Sequence, residues 1–183
     1  SGAVSFYVKK FTKKEKDERA LLLQQLAEEN KQNVLTADID HFWMAFDKLV
    51  NCKNYYDSIS AIQNYYFDLA TNGFLQFIKV RDLYAPEYLR KLTAEYASYA
   101  DVRENTYMVK EALPPIETVF DSLKIIYPNF KPFQVCFAIG ALRTGGTTTS
   151  EFILIGTELT TTGEKSKIPQ RIKGIVAHEA IHT

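Results

Sequence analysis

Five residues near the end of the chain, His178-Glu179-Ala180-Ile181-His182, have the types and the spacing of a metal-dependent hydrolase. In a helix, residues four apart lie on one face, so His178 and His182 can both direct a ring nitrogen at one ion. This H-E-x-x-H pattern is typical of zinc metallopeptidases. Glu179 falls on the same side of the helix, where a carboxylate can accept a proton from water and pass it to a leaving amine. The motif therefore predicts Zn²⁺ as the cofactor, His178 and His182 as ligands and Glu179 as the general base.

The residues before the motif predict the helix that positions it. Pro169 stands at an early position of this helix, where its missing N–H removes no hydrogen bond. Three aliphatic residues form an apolar stripe at helical spacing: Ile172, Ile175 and Val176. In a helical projection Glu179 and His182 continue this stripe and His178 flanks it. The motif is therefore expected to face the interior.

A catalytic zinc ion usually has three protein ligands and an open fourth position. Only Thr183 follows His182 in the sequence, so no downstream third ligand is available within it. Either the chain continues past Thr183 or the ligand comes from elsewhere, and the site is expected to be incomplete in these 183 residues. The remaining histidine, His41, is expected at the surface or at the edge of the core rather than on the metal.

Composition limits the range of partners. The 22 Lys and Arg residues balance the 22 Asp and Glu residues, which gives no basis for binding nucleic acid or an anionic membrane. No apolar run approaches the roughly 20 residues of a membrane span. Cys52 and Cys136 belong to no C-x-x-C pair, so free thiols are expected, and a disulfide between them stays open. The sequence begins with Ser1-Gly2 and shows no targeting segment, which leaves open one that was removed.

The first 130 residues predict mainly helices, and residues 1–35 are interpreted as an N-terminal arm and helix before a domain formed by residues 36–183. Residues 3–8 alternate as in a short strand or an extended arm. The pair Asn72-Gly73 is expected to end a helix. Apolar periodicity predicts helices over segments 13–30, 36–49, 54–71, about 74–83, 87–100 and 114–126.

Two short, apolar, β-prone runs, residues 133–139 and 152–156, precede the motif helix, so an α+β fold with a small sheet is expected. Residues 140–151, rich in Gly and Thr, predict a mobile loop between them. An edge strand beside a metal-binding helix can pair with an extended peptide. The strand near 152–157 is assigned this role, with three substrate-binding residues: Ile153, Ile155 and Gly156. Glu158 follows it and is expected either at the surface or bonded to a metal-binding histidine.

The order of several stretches resembles a known family. The stretches are Thr36–Trp43, Phe137–Gly140, Gly145–Thr147, Ile153–Glu158 and Ile175–His182. In this order they are similar to a bacterial family of uncharacterised, predicted zinc-dependent proteases, itself similar to gliding-motility lipoproteins. The resemblance covers most of the chain from about residue 36, and its chemically specific part is the histidine motif.

The resemblance implies a zincin-like, gluzincin-type arrangement, with His178 and His182 as ligands, Glu179 as base and a later glutamate as third ligand. It implies a peptide or protein substrate. Family members are often exported and lipid-anchored, which implies a place at the cell envelope or in the periplasm and a lipid anchor upstream. An alternative from another class is a non-catalytic envelope protein that keeps the fold for binding or assembly.

Overall fold

The computed structural model describes residues 11–130, 133–142 and 145–182. Helices dominate the part before Gln134: α1 Lys13–Glu29, α2 Ala37–Leu49, α3 Tyr55–Tyr65, α4 Asn72–Arg81, α5 Ala85–Ala94, α6 Tyr96–Tyr107 and α7 Leu113–Ile126. The strands are β1 Val34–Leu35, β2 Gln134–Ala138, β3 Gly146–Thr148 and β4 Phe152–Gly156. Two further helices follow, α8 Thr157–Thr160 and α9 Ile168–Ile181. Short 3₁₀ turns cover Phe67–Leu69, Met108–Ala112 and Lys165–Lys167.

The four strands form one mixed sheet in the order β1-β2-β4-β3. β1, β2 and β4 are parallel, whereas β3 runs antiparallel to β4. The α+β class is confirmed, as are the two predicted strands. The expectation of a loop throughout residues 140–151 is wrong, because β3 forms inside it. Its threonines suit a strand, since β-branched side chains pack well on a pleated surface.

The sheet is buried between helices, and its apolar strands supply one side of the core. Every residue of β4 is buried, which explains its uninterrupted apolar sequence. The other side of the core is an aromatic cluster centred on Phe42 in α2, whose ring lies 4.7 Å from that of Trp43 and 5.4 Å from that of Tyr66. The indole N–H of Trp43 donates to the Thr106 hydroxyl at 2.9 Å, so its polar atom is satisfied inside the core.

Several helix boundaries differ from the prediction. The helix expected over residues 54–71 ends at Tyr65, before the 3₁₀ turn Phe67–Leu69. The helix expected over residues 87–100 is two helices, α5 and α6, separated at Glu95. The Asn72-Gly73 pair begins α4 instead of ending a helix, because the Thr71 side chain accepts the Phe74 N–H and caps it. Glycine is needed at position 73 for another reason: a Cβ there would lie 2.8 Å from Cys136 Sγ. Close packing of α4 on β2 thus accounts for this glycine.

The N-terminal helix is capped at its start and bonded to α2 at its end. A capping box between Thr12 and Glu15 begins α1. At the other end, Glu29 Oε1 accepts the first free amides of α2, from Thr36 and Ala37. β1 lies at the end of the segment 1–35, so this segment contributes a strand to the sheet. The strand or arm expected over residues 3–8 lies outside the described residues.

Two further expectations have a clear outcome. Cys52 and Cys136 are both free thiols, Cys136 fully buried. Within the described ranges, none of the helices combines the length and the apolar character needed to cross a bilayer.

Candidate metal centre

α9 positions the histidine motif, and it begins at Ile168 with Pro169 in its first turn, as predicted. One face of α9 is buried against α7, the 3₁₀ turn Met108–Ala112 and the sheet. The residues of this buried face are four apart: Ile168, Ile172, Val176 and Ala180. The packing of this stripe determines which side chains of the motif remain accessible.

The expectation that the motif faces the interior is wrong for the histidines. Ala180, not Glu179 or His182, continues the buried stripe, and both His178 and His182 are exposed. The reason is the exact four-residue spacing from Ile168, which turns the histidines away from the packed face. Their exposure leaves both imidazoles accessible to an ion and to water.

The two imidazoles converge. Nε2 of His178 lies 3.1 Å from Nε2 of His182, and the rings meet edge to face with centroids 4.7 Å apart. Two nitrogens bound at about 2.05 Å to a tetrahedral zinc ion would lie roughly 3.3 Å apart. The observed separation is close to this value, so the donor atoms and their spacing fit Zn²⁺.

Glu179 lies at the contact between α9 and β3. It is half-buried, and its side chain crosses the strand at Gly146. A Cβ on Gly146 would lie 2.7 Å from Glu179 Oε1, 3.2 Å from Cδ and 3.3 Å from Cγ. The absence of a side chain at position 146 therefore permits the approach of the carboxylate to the strand. The Gly145-Gly146 pair can be read from the sequence, but the contact between Gly146 and Glu179 cannot.

The strand assigned to substrate is not at the edge of the sheet. β4 pairs with β2 on one side and with β3 on the other, and Ile153, Ile155 and Gly156 are buried. These residues cannot add a peptide strand, because their neighbours already take the hydrogen-bonding positions of β4. Within residues 11–130, 133–142 and 145–182, β3 is the outer strand on the side of α9.

Glu158 matches neither expected position. It is 2% exposed, and its described hydrogen bonds go to backbone amides: Gly140 N at 2.9 and 3.1 Å and Leu142 N at 2.8 Å. Burial raises the pKa of this carboxyl to about 7, against the opposing effect of the two amides. The sequence contained no signal for this role, since the partners are backbone groups 16 and 18 residues away.

In the part of the chain that the structure describes, no cluster of three or more His, Cys, Asp or Glu side chains is arranged to hold a metal ion. The two motif histidines can therefore supply two metal ligands, and the described residues supply no third ligand beside them. His41, buried in α2, stands apart as a core residue, and its pKa is lowered chiefly by desolvation.

Comparison of the chain with protein-family models, with curated proteins and with solved structures finds no match. The resemblance to predicted zinc-dependent proteases accordingly stays a prediction.

Proposed function

We propose that this protein is a zinc-dependent metallopeptidase that hydrolyses peptide bonds, with His178 and His182 as ligands through their Nε2 atoms. The observation that supports this most directly is the 3.1 Å separation of those two atoms on the exposed face of α9. A histidine pair serving only the core would be buried and bonded to other groups. These two rings are exposed, and their Nε2 atoms lie within hydrogen-bond distance of each other.

The chemistry that zinc supplies when bound is polarisation of the scissile carbonyl and a lowered pKa for water. Glu179 accepts the proton of the attacking water at a carboxylate oxygen and later donates it to the leaving amine. Its half-buried position against Gly146 places the carboxylate at β3. A third ligand is part of the proposal and comes from outside the described residues.

The substrate strand in this proposal is β3 rather than β4. A peptide that pairs with an outer strand gains backbone hydrogen bonds independent of its sequence. Alongside Gly146 such a peptide would lie next to Glu179, because the carboxylate crosses the strand at that residue. A location at the cell envelope belongs to the same proposal and is supported by the sequence resemblance alone.

Two measurements test the proposal. Zinc content is measured after dialysis of the complete protein, including any residues beyond Thr183, in metal-free buffer, for the wild type and for His178→Ala. About one zinc per wild-type chain and none in the variant is the expected result. Peptidase activity is then compared between the wild type and Glu179→Gln in the full chain, where loss of the base should lower kcat by about 10²–10⁴-fold with zinc retained.

The outcomes separate the two classes of function. Full activity in Glu179→Gln would remove the role assigned to the base. A protein with no bound zinc and no peptidase activity, whose biological role survives His178→Ala, would instead be the non-catalytic binding or assembly protein.

A further inference from the structure

The turn that follows β2 is held by side chains from three other elements. Ile139 directly follows the last residue of β2, and its backbone groups meet two buried tyrosines. Its N–H donates to the Tyr66 hydroxyl at 2.9 Å, and its carbonyl accepts from the hydroxyls of Tyr66 and Tyr88, each at 2.8 Å. The residue that follows β2 is thereby bonded to side chains.

The next three residues depend on Glu158. Its Oε1 accepts both the Gly140 and the Leu142 amide. Two non-glycine residues of this turn have a left-handed backbone, Ala141 (φ 57°) and Leu142 (φ 56°). This conformation is unfavourable for residues with a Cβ, so it persists only where other interactions compensate for it. The hydrogen bonds from the Gly140 and Leu142 amides to Glu158 provide that compensation.

The turn also has little room to shift. A Cβ on Gly140 would lie 2.6 Å from the Phe77 ring, so α4 packs directly against the backbone there. Glu158 is also close, since its Oε1 would be 3.7 Å from the same Cβ. Gly140 therefore lies next to both an aromatic ring and a buried carboxyl group.

This turn is connected to the strand that borders the candidate site. Two residues separate Leu142 from Gly145, and the Gly145 carbonyl accepts the Gly156 N–H at 3.3 Å. β3 begins at the next residue, Gly146, against which Glu179 lies. β3 is thus paired with β4 along its length, and its first residue stands four positions after Leu142, where the turn bonded to Glu158 ends.

We propose that Glu158 is a positioning residue for the candidate site: by binding the amides of Gly140 and Leu142 it sets the position of β3 against Glu179. The structural part of this inference concerns β3 and is independent of catalysis. The consequence for peptide hydrolysis rests on the proposed function.

Hydrogen exchange of the purified protein, followed by mass spectrometry, tests the structural part. Glu158→Ala leaves the buried Gly140 amide and the part-buried Leu142 amide without their acceptor. We expect exchange in residues 145–149 to accelerate about tenfold or more while β2 stays protected. Glu158→Gln keeps a carbonyl oxygen at the Oε1 position, so it should restore protection to within about twofold of the wild type. Should Glu158→Ala fail to fold, Glu158→Asp replaces it, because its shorter side chain keeps the carboxyl group but moves it away from the amides.

The matched control is Asp38→Ala. Asp38 is also a fully buried carboxyl group, and it accepts hydrogen bonds from the Thr71 amide, the Thr71 hydroxyl and the Cys136 thiol of β2. It belongs to α2 and contacts neither the turn nor β3 in the described hydrogen bonds. Asp38→Ala should accelerate hydrogen exchange without a selective effect on β3. Equal acceleration in both variants, or an unchanged β3 in Glu158→Ala and Glu158→Asp, would overturn the inference.

Kinetics then address the catalytic consequence. With zinc content unchanged, Glu158→Ala should raise KM for a peptide substrate about tenfold, because a displaced β3 pairs less well with an extended chain. Rescue of KM by Glu158→Gln is expected. If the wild type hydrolyses no peptide, the proposed function fails, and the exchange result still decides the role of Glu158. If Glu158→Ala is active with an unchanged KM although β3 exchanges faster, the link between β3 and substrate binding is refuted.

Discussion

Gly146→Ala is the most direct perturbation of the contact between Glu179 and β3. The added Cβ would lie 2.7 Å from Glu179 Oε1, whereas an ordinary van der Waals contact begins at 3.4 Å. The carboxylate must therefore move by about 0.7 Å, or the strand must move by the same amount. Because the carboxylate is the far end of the flexible Glu179 side chain, it is expected to move and the fold to stay intact.

A displacement of this size is large for a catalytic group. A misplacement of about 1 Å can lower a rate 10²-fold, so kcat should fall by about 10-fold to 100-fold. Zinc content should not change, since His178 and His182 do not contact Gly146 in the described interactions. The melting temperature should fall by no more than a few degrees. The assay is cleavage of a fluorogenic peptide, with zinc content and thermal unfolding measured on the same samples.

The neighbouring glycine provides the control. At Gly145 the nearest described atom to a Cβ would be Thr160 Cγ2 at 3.8 Å, which is an ordinary contact. Gly145→Ala therefore makes the same chemical change one residue away without displacing Glu179, and its kcat should stay within about threefold of the wild type. Equal kcat values for the two variants would refute the reasoning that the Glu179 carboxylate acts from its position over β3.

Two further predictions concern stability. Burial raises the pKa of Glu158 in the folded protein from its usual 4.5 to about 7. Between pH 4.5 and about 7 the folded protein therefore binds more protons than the unfolded chain. The contribution of Glu158 to stability is complete below pH 4.5 and is lost as the pH rises to about 7. Glu158→Gln has no such loss, and chemical denaturation should show it gaining up to about 3 kcal/mol over the wild type between these pH values; a pH-independent difference would contradict the raised pKa. Gly73→Ala should destabilise the fold by about 1–3 kcal/mol, because its Cβ would collide with Cys136 on β2. Gly174→Ala, in α9 with nothing within 4 Å, should stabilise it by up to about 1 kcal/mol, and denaturation midpoints that rank the two variants the other way would be inconsistent with the packing described.

Local patterns were sufficient to predict most elements. The apolar stripe and Pro169 predicted α9, and the β-prone runs predicted β2 and β4, because these signals depend on residues close together in the chain. The spacing of His178 and His182 likewise follows from helix geometry alone. The convergence of their Nε2 atoms is a local property that any regular helix allows.

What the sequence by itself determined is therefore the helix, the histidine pair and the class of fold. Only the tertiary structure decided which strand lies next to Glu179, because strand order depends on pairing between residues far apart in the chain. The same holds for the burial of Ile153 and Ile155 and for the hydrogen bonds of Glu158. Those bonds go to backbone amides, which every residue type except proline possesses, so no pattern of side chains can predict them.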